Sequence, residues 1–167
     1  MSPKTFLVKN EKDLEKAKKE IKTDKIILKP RFGHGGVGIK IIKKNQFPKI
    51  KTEYVAQEFI DASKGIPKLK IKGIHDLRCV TINGKIAYTY VRVPGHGLLA
   101  NLHQGGKVIN VNAPKRVQII VKKIDSFMKK FGKRVYSADF FFSKGRYYLV
   151  ELNSKPGFDA CGKYGFA

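Results

Sequence analysis

The chain has 167 residues, 42% hydrophobic and 11% aromatic, which suits one sizeable core or two small lobes and excludes a disordered chain. Its formal net charge of +22 creates a field that attracts polyanions: nucleic acid, phosphorylated ligands or an acidic protein. No apolar run approaches a membrane span, no signal-peptide core follows the basic N-terminus, and Cys79 and Cys161 have no metal or redox spacing, so a reducing, cytoplasmic setting is expected.

Thr5–Val8 reads as a short strand. A helix is expected from Asn10 to Ile21: Asn10 can cap it, Asp13 stands at its third position, and Leu14, Ala17 and Ile21 mark one apolar face. Glu and Lys mixed over residues 11–22 suit a solvated helix face. Lys25–Lys29 is a strand ended by Pro30, a glycine-rich segment runs from Arg31 to Gly38, and strands follow at Ile39–Lys43 and Tyr54–Ile60. Residues 61–73 carry Gly, Pro and Lys without a clean period and read as a loop. Asp76–Ile82 and Lys85–Arg92 alternate well and meet at Asn83-Gly84, a strong hairpin signal. Pro94–Gly106 is a glycine-rich connector, long enough for a functional lid. Pro114 suits the first turn of a helix running to about Phe131, with Val117, Ile120, Val121, Ile124, Phe127 and Met128 as its buried stripe. Ser137–Phe158 reads as two apolar strands around a Lys144-Gly145 turn.

That last hairpin carries Asp139, Glu151 and Asn153, charged and polar residues in strands that otherwise belong to a core. Glu151 and Asn153 share a face. Asp139 joins them only if the turn has an odd number of residues; a two-residue turn would pair it with Val150 instead. Two carboxylates and an amide oxygen on one face suit a hard divalent cation such as magnesium carrying a phosphate. The alternative is an Asp at a strand end and a Glu in a surface salt bridge. Gly33, Gly35, Gly36 and Gly38 let the backbone turn its N–H groups toward an anion, with Lys29 as a nearby point charge. No Gly-Lys-Ser/Thr is present and a strand follows, so this is neither a Walker loop nor a Rossmann fingerprint; an ordinary flexible turn is the alternative. Arg78 and Arg92 can fork onto phosphate oxygens. A strict Asn83-Gly84 turn would set Arg78 opposite Thr89 and turn Arg92 to the other face, so a shared site requires a bulge or an Arg92 beyond the regular strand.

In order, the chain holds K-P-R-F-G-H-G-G-V-G-I, Q-E-F-I, D-L-R with a hairpin to V-R, A-N-L-H-Q-G-G, A-D-F-F-F and V-E-L-N-S-K-P-G-F. This set resembles the ATP-grasp superfamily, in the branch of ribosomal-protein glutamate ligase and related carboxylate–amine ligases. The resemblance spans about Lys25 to Phe158. It implies that Lys29 and the loop of Gly33, Gly35, Gly36 and Gly38 hold the β- and γ-phosphates of ATP. Gln57, Glu58, Phe59 and Ile60 would form the adenine hinge. Arg78, Arg92 and Asn101 would steady the transferring phosphoryl group and the acyl phosphate, and Asp139, Glu151 and Asn153 would bind Mg2+. The family phosphorylates a carboxylate with ATP, and an amine then displaces phosphate. Relatives carry a further N-terminal domain and continue beyond Pro156-Gly157-Phe158, so this chain is expected to be a core cut from a longer protein or completed by a partner.

The expected fold is α+β: a two-lobed ATP-grasp core whose antiparallel sheets enclose a nucleotide cleft, with a small nucleotide-binding lobe over residues 1–57 and a larger lobe, carrying the metal and phosphate site, over 58–167. The expected function is an ATP- and magnesium-dependent carboxylate–amine ligase core whose positive field can recruit an acidic acceptor. The rival is a non-catalytic basic module that grips nucleic acid or an acidic protein. No RNP-like aromatic pair, helix-turn-helix or zinc-finger spacing accompanies the charge, so nucleic acid is the less favoured partner, and no membrane role is expected.

Overall fold

The computed structural model describes residues 1–33, 35–95 and 106–158. The chain forms two compact units, Ser2–Ile60 and Asp61–Ala167, the latter joined by Met1.

The first unit is a four-stranded antiparallel sheet with one helix. Its elements are β1 (Thr5–Val8), α1 (Glu11–Glu20), β2 (Lys25–Pro30), β3 (Lys40–Lys43) and β4 (Tyr54–Glu58), in the spatial order β1-β4-β2-β3. The α1 N-terminus is tied off twice: Asn10 Oδ1 accepts from the Asp13 N–H at 3.0 Å, and an Asp13 carboxylate oxygen accepts from the Lys9 N–H at 3.0 Å. Cross-strand register places Val8 beside Tyr54, Leu28 beside Ala56 and Ile26 beside Ile42, so all six share one face. Leu14, Ala17 and Ile21, at helical spacing, bury against that face.

The second unit is a five-stranded antiparallel sheet in the order β7-β6-β5-β8-β9. Its strands are β5 (Asp76–Ile82), β6 (Lys85–Val93), β7 (Lys107–Asn110), β8 (Val135–Ser143) and β9 (Arg146–Asn153), and α2 (Lys115–Met128) packs on one face. Val117 and Val121 of α2 meet Leu77, Cys79, Val91, Ala138 and Phe140 there. The expected α2 stripe needs one correction: Phe127 is 75% exposed. Val117, Val121, Ile124 and Met128 follow the 3.6-residue period, whereas Phe127 falls at the stripe's margin. Pro114 stands just before the helix, as its N-cap, and Lys129–Phe131 continues it as a 3-10 turn.

The segment after Ile60 is more ordered than a plain loop. It holds a 3-10 turn at Pro67–Leu69 and an isolated bridge between Ile66 and Ile71, and both isoleucines lie in the core of the second unit. Two apolar residues among Lys and Gly show no period, which is why their burial escapes a pattern reading. Gly65 has φ +72, and a Cβ there would stand 2.0 Å from the Ile71 carbonyl oxygen, so the bridge itself demands glycine. The buried His75 closes the segment: its Nδ1 lies 3.1 Å from the Gly73 carbonyl oxygen, and its Nε2 accepts from the Phe142 N–H of β8 at 3.0 Å. Among the described residues no helix is long and apolar enough to cross a membrane.

Candidate active site

The face of the second sheet opposite α2 carries the charged residues, and two β-bulges put them there. The β5–β6 hairpin turns through Asn83 and Gly84, both at positive φ, as a tight two-residue connection requires. Near the turn the register is strict, with Ile82 opposite Lys85 and Thr81 opposite Ile86. Beyond it Ala87 is extra, Val80 faces Tyr88, Arg78 faces Tyr90 and Asp76 faces Arg92. The one-residue shift moves Arg92 from the α2 face to the face of Arg78.

The β8–β9 hairpin uses the same device. Its turn is Lys144-Gly145, again with two positive φ values, and Ser143 pairs with Arg146. An odd turn, expected from the sequence as the condition for pairing Asp139 with Glu151, is therefore not what the chain uses. Val150 bulges instead, so Phe140 faces Leu149 while Asp139 faces Glu151 and Ser137 faces Asn153. The three oxygen donors end on one face.

Four charges meet at the centre of that face. Arg78 clasps Asp139 with two prongs, Nε to Oδ1 at 2.7 Å and Nη2 to Oδ2 at 2.5 Å. Arg92 Nη2 donates to Asp139 Oδ2 at 3.0 Å and also to Asp76 Oδ2. Asp139 is 1% exposed, and the other three side chains are nearly as enclosed. Burial, and then the Asp139 charge, push the Asp76 carboxyl up to about 6 against the opposing pull of Arg92 and Arg78. Burial works against the Arg78 charge, but the hydrogen bonds and field of Asp139 outweigh it and hold the guanidinium above its usual range. Asp76, the acid of the D-L-R motif, completes this cluster although its sequence position alone assigned it no role. The signal was there, since an acid two residues before Arg78 in an alternating strand must share its face.

Glu151 is exposed beside this cluster, and Asn153 accepts from the Lys155 N–H at 2.9 Å. The donor set is all oxygen and its register is right, so these residues fit a hard divalent cation. In the present conformation both Asp139 oxygens are bonded to arginines, and among the described residues no three His, Cys, Asp or Glu side chains are gathered closely enough to hold a metal. Asn101 lies outside the described residues, as do the rest of residues 96–105 of the Pro94–Gly106 connector.

The other candidates belong to the first unit. Lys29 is half-buried on β2, opposite Val55. Gly33, Gly35, Gly36 and Gly38, in the segment between β2 and β3, all have positive φ. At Gly38 a Cβ would also stand 2.9 Å from Pro30 Cγ. Gln57 is buried, and its amide nitrogen donates to Thr5 Oγ1 at 3.1 Å. The Glu58 N–H donates to the Lys4 carbonyl, Phe59 lies under the Lys25 ammonium, and Ile60 is buried. In the second unit a cavity of about 840 Å3 lies on the α2 side of the sheet, lined by Ile86, Thr89, Val111, Gln118 and Val121 among others. It is on the face away from the paired acids and arginines. Cys79 is no nucleophile: burial pushes its thiol up to about 12.

Residues 1–165 match the RimK-like ATP-grasp domain. The chain belongs to this family. Among curated proteins it is 33% identical over 118 residues to a probable alpha-L-glutamate ligase of Shewanella halifaxensis, covering 69% of this chain and 23% of that one. It is 27% identical over 168 residues to the coenzyme gamma-F420-2:alpha-L-glutamate ligase of Methanococcus maripaludis, covering 93% and 54%. A solved structure of the macrocyclase MdnC bound with precursor peptide MdnA, from Microcystis aeruginosa, superposes with a TM-score of 0.67 at 18% identity, over 99% of this chain and 51% of that one. The solved ATP-grasp ligase PsnB, complexed with minimal precursor, superposes with a TM-score of 0.65 at 14% identity, over 95% of this chain and 48% of that one, which shows the ATP-grasp fold. The α+β architecture with antiparallel sheets is the one the sequence motifs implied. The chain spans about a quarter and about half of the two curated relatives' lengths.

Proposed function

We propose that this chain is the nucleotide- and metal-binding core of an ATP- and magnesium-dependent carboxylate–amine ligase that works through an acyl phosphate. The observation that carries the proposal is the double bulge. Two independent register shifts bring two arginines and the oxygen donors to one sheet face, an arrangement that a structural sheet has no need to make.

In this reading Arg78 and Arg92 grip oxygens of the phosphoryl group in flight and lower the cost of its charge. Asp139, Glu151 and Asn153 would hold Mg2+, which when bound supplies charge neutralisation on the phosphates. Lys29 and the glycine segment hold the β- and γ-phosphates, and Gln57–Ile60 present the adenine hinge. Chemically, a substrate carboxylate oxygen bonds to the γ-phosphorus as the bond to the bridging oxygen breaks and ADP leaves. The amine nitrogen then bonds to the acyl carbon, phosphate leaves, and the amine's proton passes to solvent. The shared glutamate-ligase names of the relatives make L-glutamate the first substrate to test.

The test is calorimetry of ATP binding with and without Mg2+, on the wild type and on Glu151→Ala. Magnesium-dependent binding that Glu151→Ala weakens is expected; its absence in the wild type overturns the proposal. The charge of +22 supports a second reading, a basic module for nucleic acid or an acidic partner. A salt-sensitive gel shift that ATP leaves unchanged would favour that reading.

A further inference from the structure

Arg92 stands between two acids. Its Nη2 donates to Asp76, directly opposite on β5, and to Asp139, one strand further across on β8. Asp139 thereby holds both arginines of the cluster. Each is a competitor for the carboxylate that a divalent cation would use. A cation arriving at Asp139 must strip both away, and a buried guanidinium left without an anion is costly. Among the described residues the acid hydrogen-bonded to Arg78 is Asp139, with the Asp76 charge acting on it from further away. Arg92 has a second acid in contact, because Asp76 already grips it.

Two unsatisfied buried atoms point the same way. Among the described residues, Arg92 Nε and Asp76 Oδ1 are buried without a partner. A pair serving stability alone would close both prongs of the fork, as Arg78 and Asp139 do. Arg92 instead spends one nitrogen on two acids and keeps another donor in hand.

We propose that Asp76 is a positioning residue: it retains Arg92 when Asp139 exchanges its arginine partners for a divalent cation, and holds the Arg92 fork ready for an anionic oxygen. This rests on the ligase-core reading above and assigns a role to a residue outside its ligand set. Without Asp76, Arg92 would have Asp139 as its remaining acid and would block the cation.

The test uses Mn2+ as probe, its free concentration read by electron paramagnetic resonance, with and without a non-hydrolysable ATP analogue. Asp76→Asn should weaken Mn2+ binding in the presence of the analogue by about tenfold, a coupling usual for charged residues in contact. Binding of the analogue without metal should change far less. Asp76→Glu should restore Mn2+ binding. The double variant Asp76→Asn, Arg92→Leu should also restore it, because the competitor is gone; it leaves neither partner of the pair charged and alone, which guards the fold. Arg92→Leu by itself should bind Mn2+ without nucleotide more tightly than the wild type. Unchanged Mn2+ affinity in Asp76→Asn, or a double variant no better than Asp76→Asn, overturns the inference. So does an Arg92→Leu variant that gains nothing, a result that can be read even if Asp76→Asn fails to fold. A wild type that binds neither nucleotide nor Mn2+ removes the ligase reading and this inference with it.

Discussion

Asp139 and Glu151 face each other across β8 and β9, yet their environments assign them different work. Asp139 is enclosed and doubly paired, so it is part of what holds the sheet face together. Arg78→Leu leaves that carboxylate with one partner and should cost about 3–5 kcal/mol, the usual price of breaking a buried pair from one side. Glu151 is exposed, so Glu151→Gln should change stability by less than about 0.5 kcal/mol while still weakening magnesium-dependent nucleotide binding. Urea denaturation of the two variants beside the wild type separates these outcomes, and equal losses would contradict the division of labour. The identities of Arg78, Arg92, Asp139, Glu151 and Asn153 were legible as a set because ionisable and amide side chains stand out in apolar strands. Asp76 was legible as a neighbour of Arg78, but its grip on Arg92, sixteen residues along the chain, was not, because that contact depends on the register shift at Ala87.

At the scale of elements, the bulges at Ala87 and Val150 decide which face each side chain takes. Deleting Ala87 removes the extra residue and leaves Thr81 opposite Ile86, Val80 opposite Tyr88 and Asp76 opposite Arg92, so the charges keep their face and only the bulge is lost. The deletion variant should therefore still unfold cooperatively and lose less than about 3 kcal/mol. Ala87→Ser keeps the residue count at an exposed position and should stay within about 0.5 kcal/mol of the wild type. Chemical denaturation of both checks this, and a deletion variant that no longer unfolds cooperatively would show that the bulge does more than set which face Arg92 takes.

His75 is a second element-level device, since it ties the segment after Ile60 to β8. Burial holds its imidazole below the usual range, because the folded chain has room for the neutral ring only. Above the ordinary histidine pKa, both folded and unfolded rings are neutral and the contribution is intact. As pH falls below it, the unfolded chain takes the proton first, so stability is lost until the folded ring itself titrates. His75→Gln should therefore show a shallower loss of stability than the wild type between about pH 7 and 5. Parallel pH curves for the two would refute it.

For the whole molecule, a net charge of +22 on 167 residues means self-repulsion in every compact state. Raising ionic strength from low to physiological should raise the melting temperature, because screening relieves repulsion more than it weakens the few surface ion pairs. A melting temperature that falls with salt would mean those pairs dominate.

Strand and helix positions, the Asn10 cap and both turn sites could be read from the sequence, because each rests on local propensity and period. The amino-acid order also determined the chemistry on offer: two arginine forks, an oxygen donor set and a glycine segment after a lysine strand. Tertiary structure alone decided that these groups meet. A bulge needs no special residue, and Ala87 and Val150 look like any strand residues. Only pairing against a neighbouring strand, with one face committed to the α2 core, makes the extra residue cheaper than a charge turned into apolar packing.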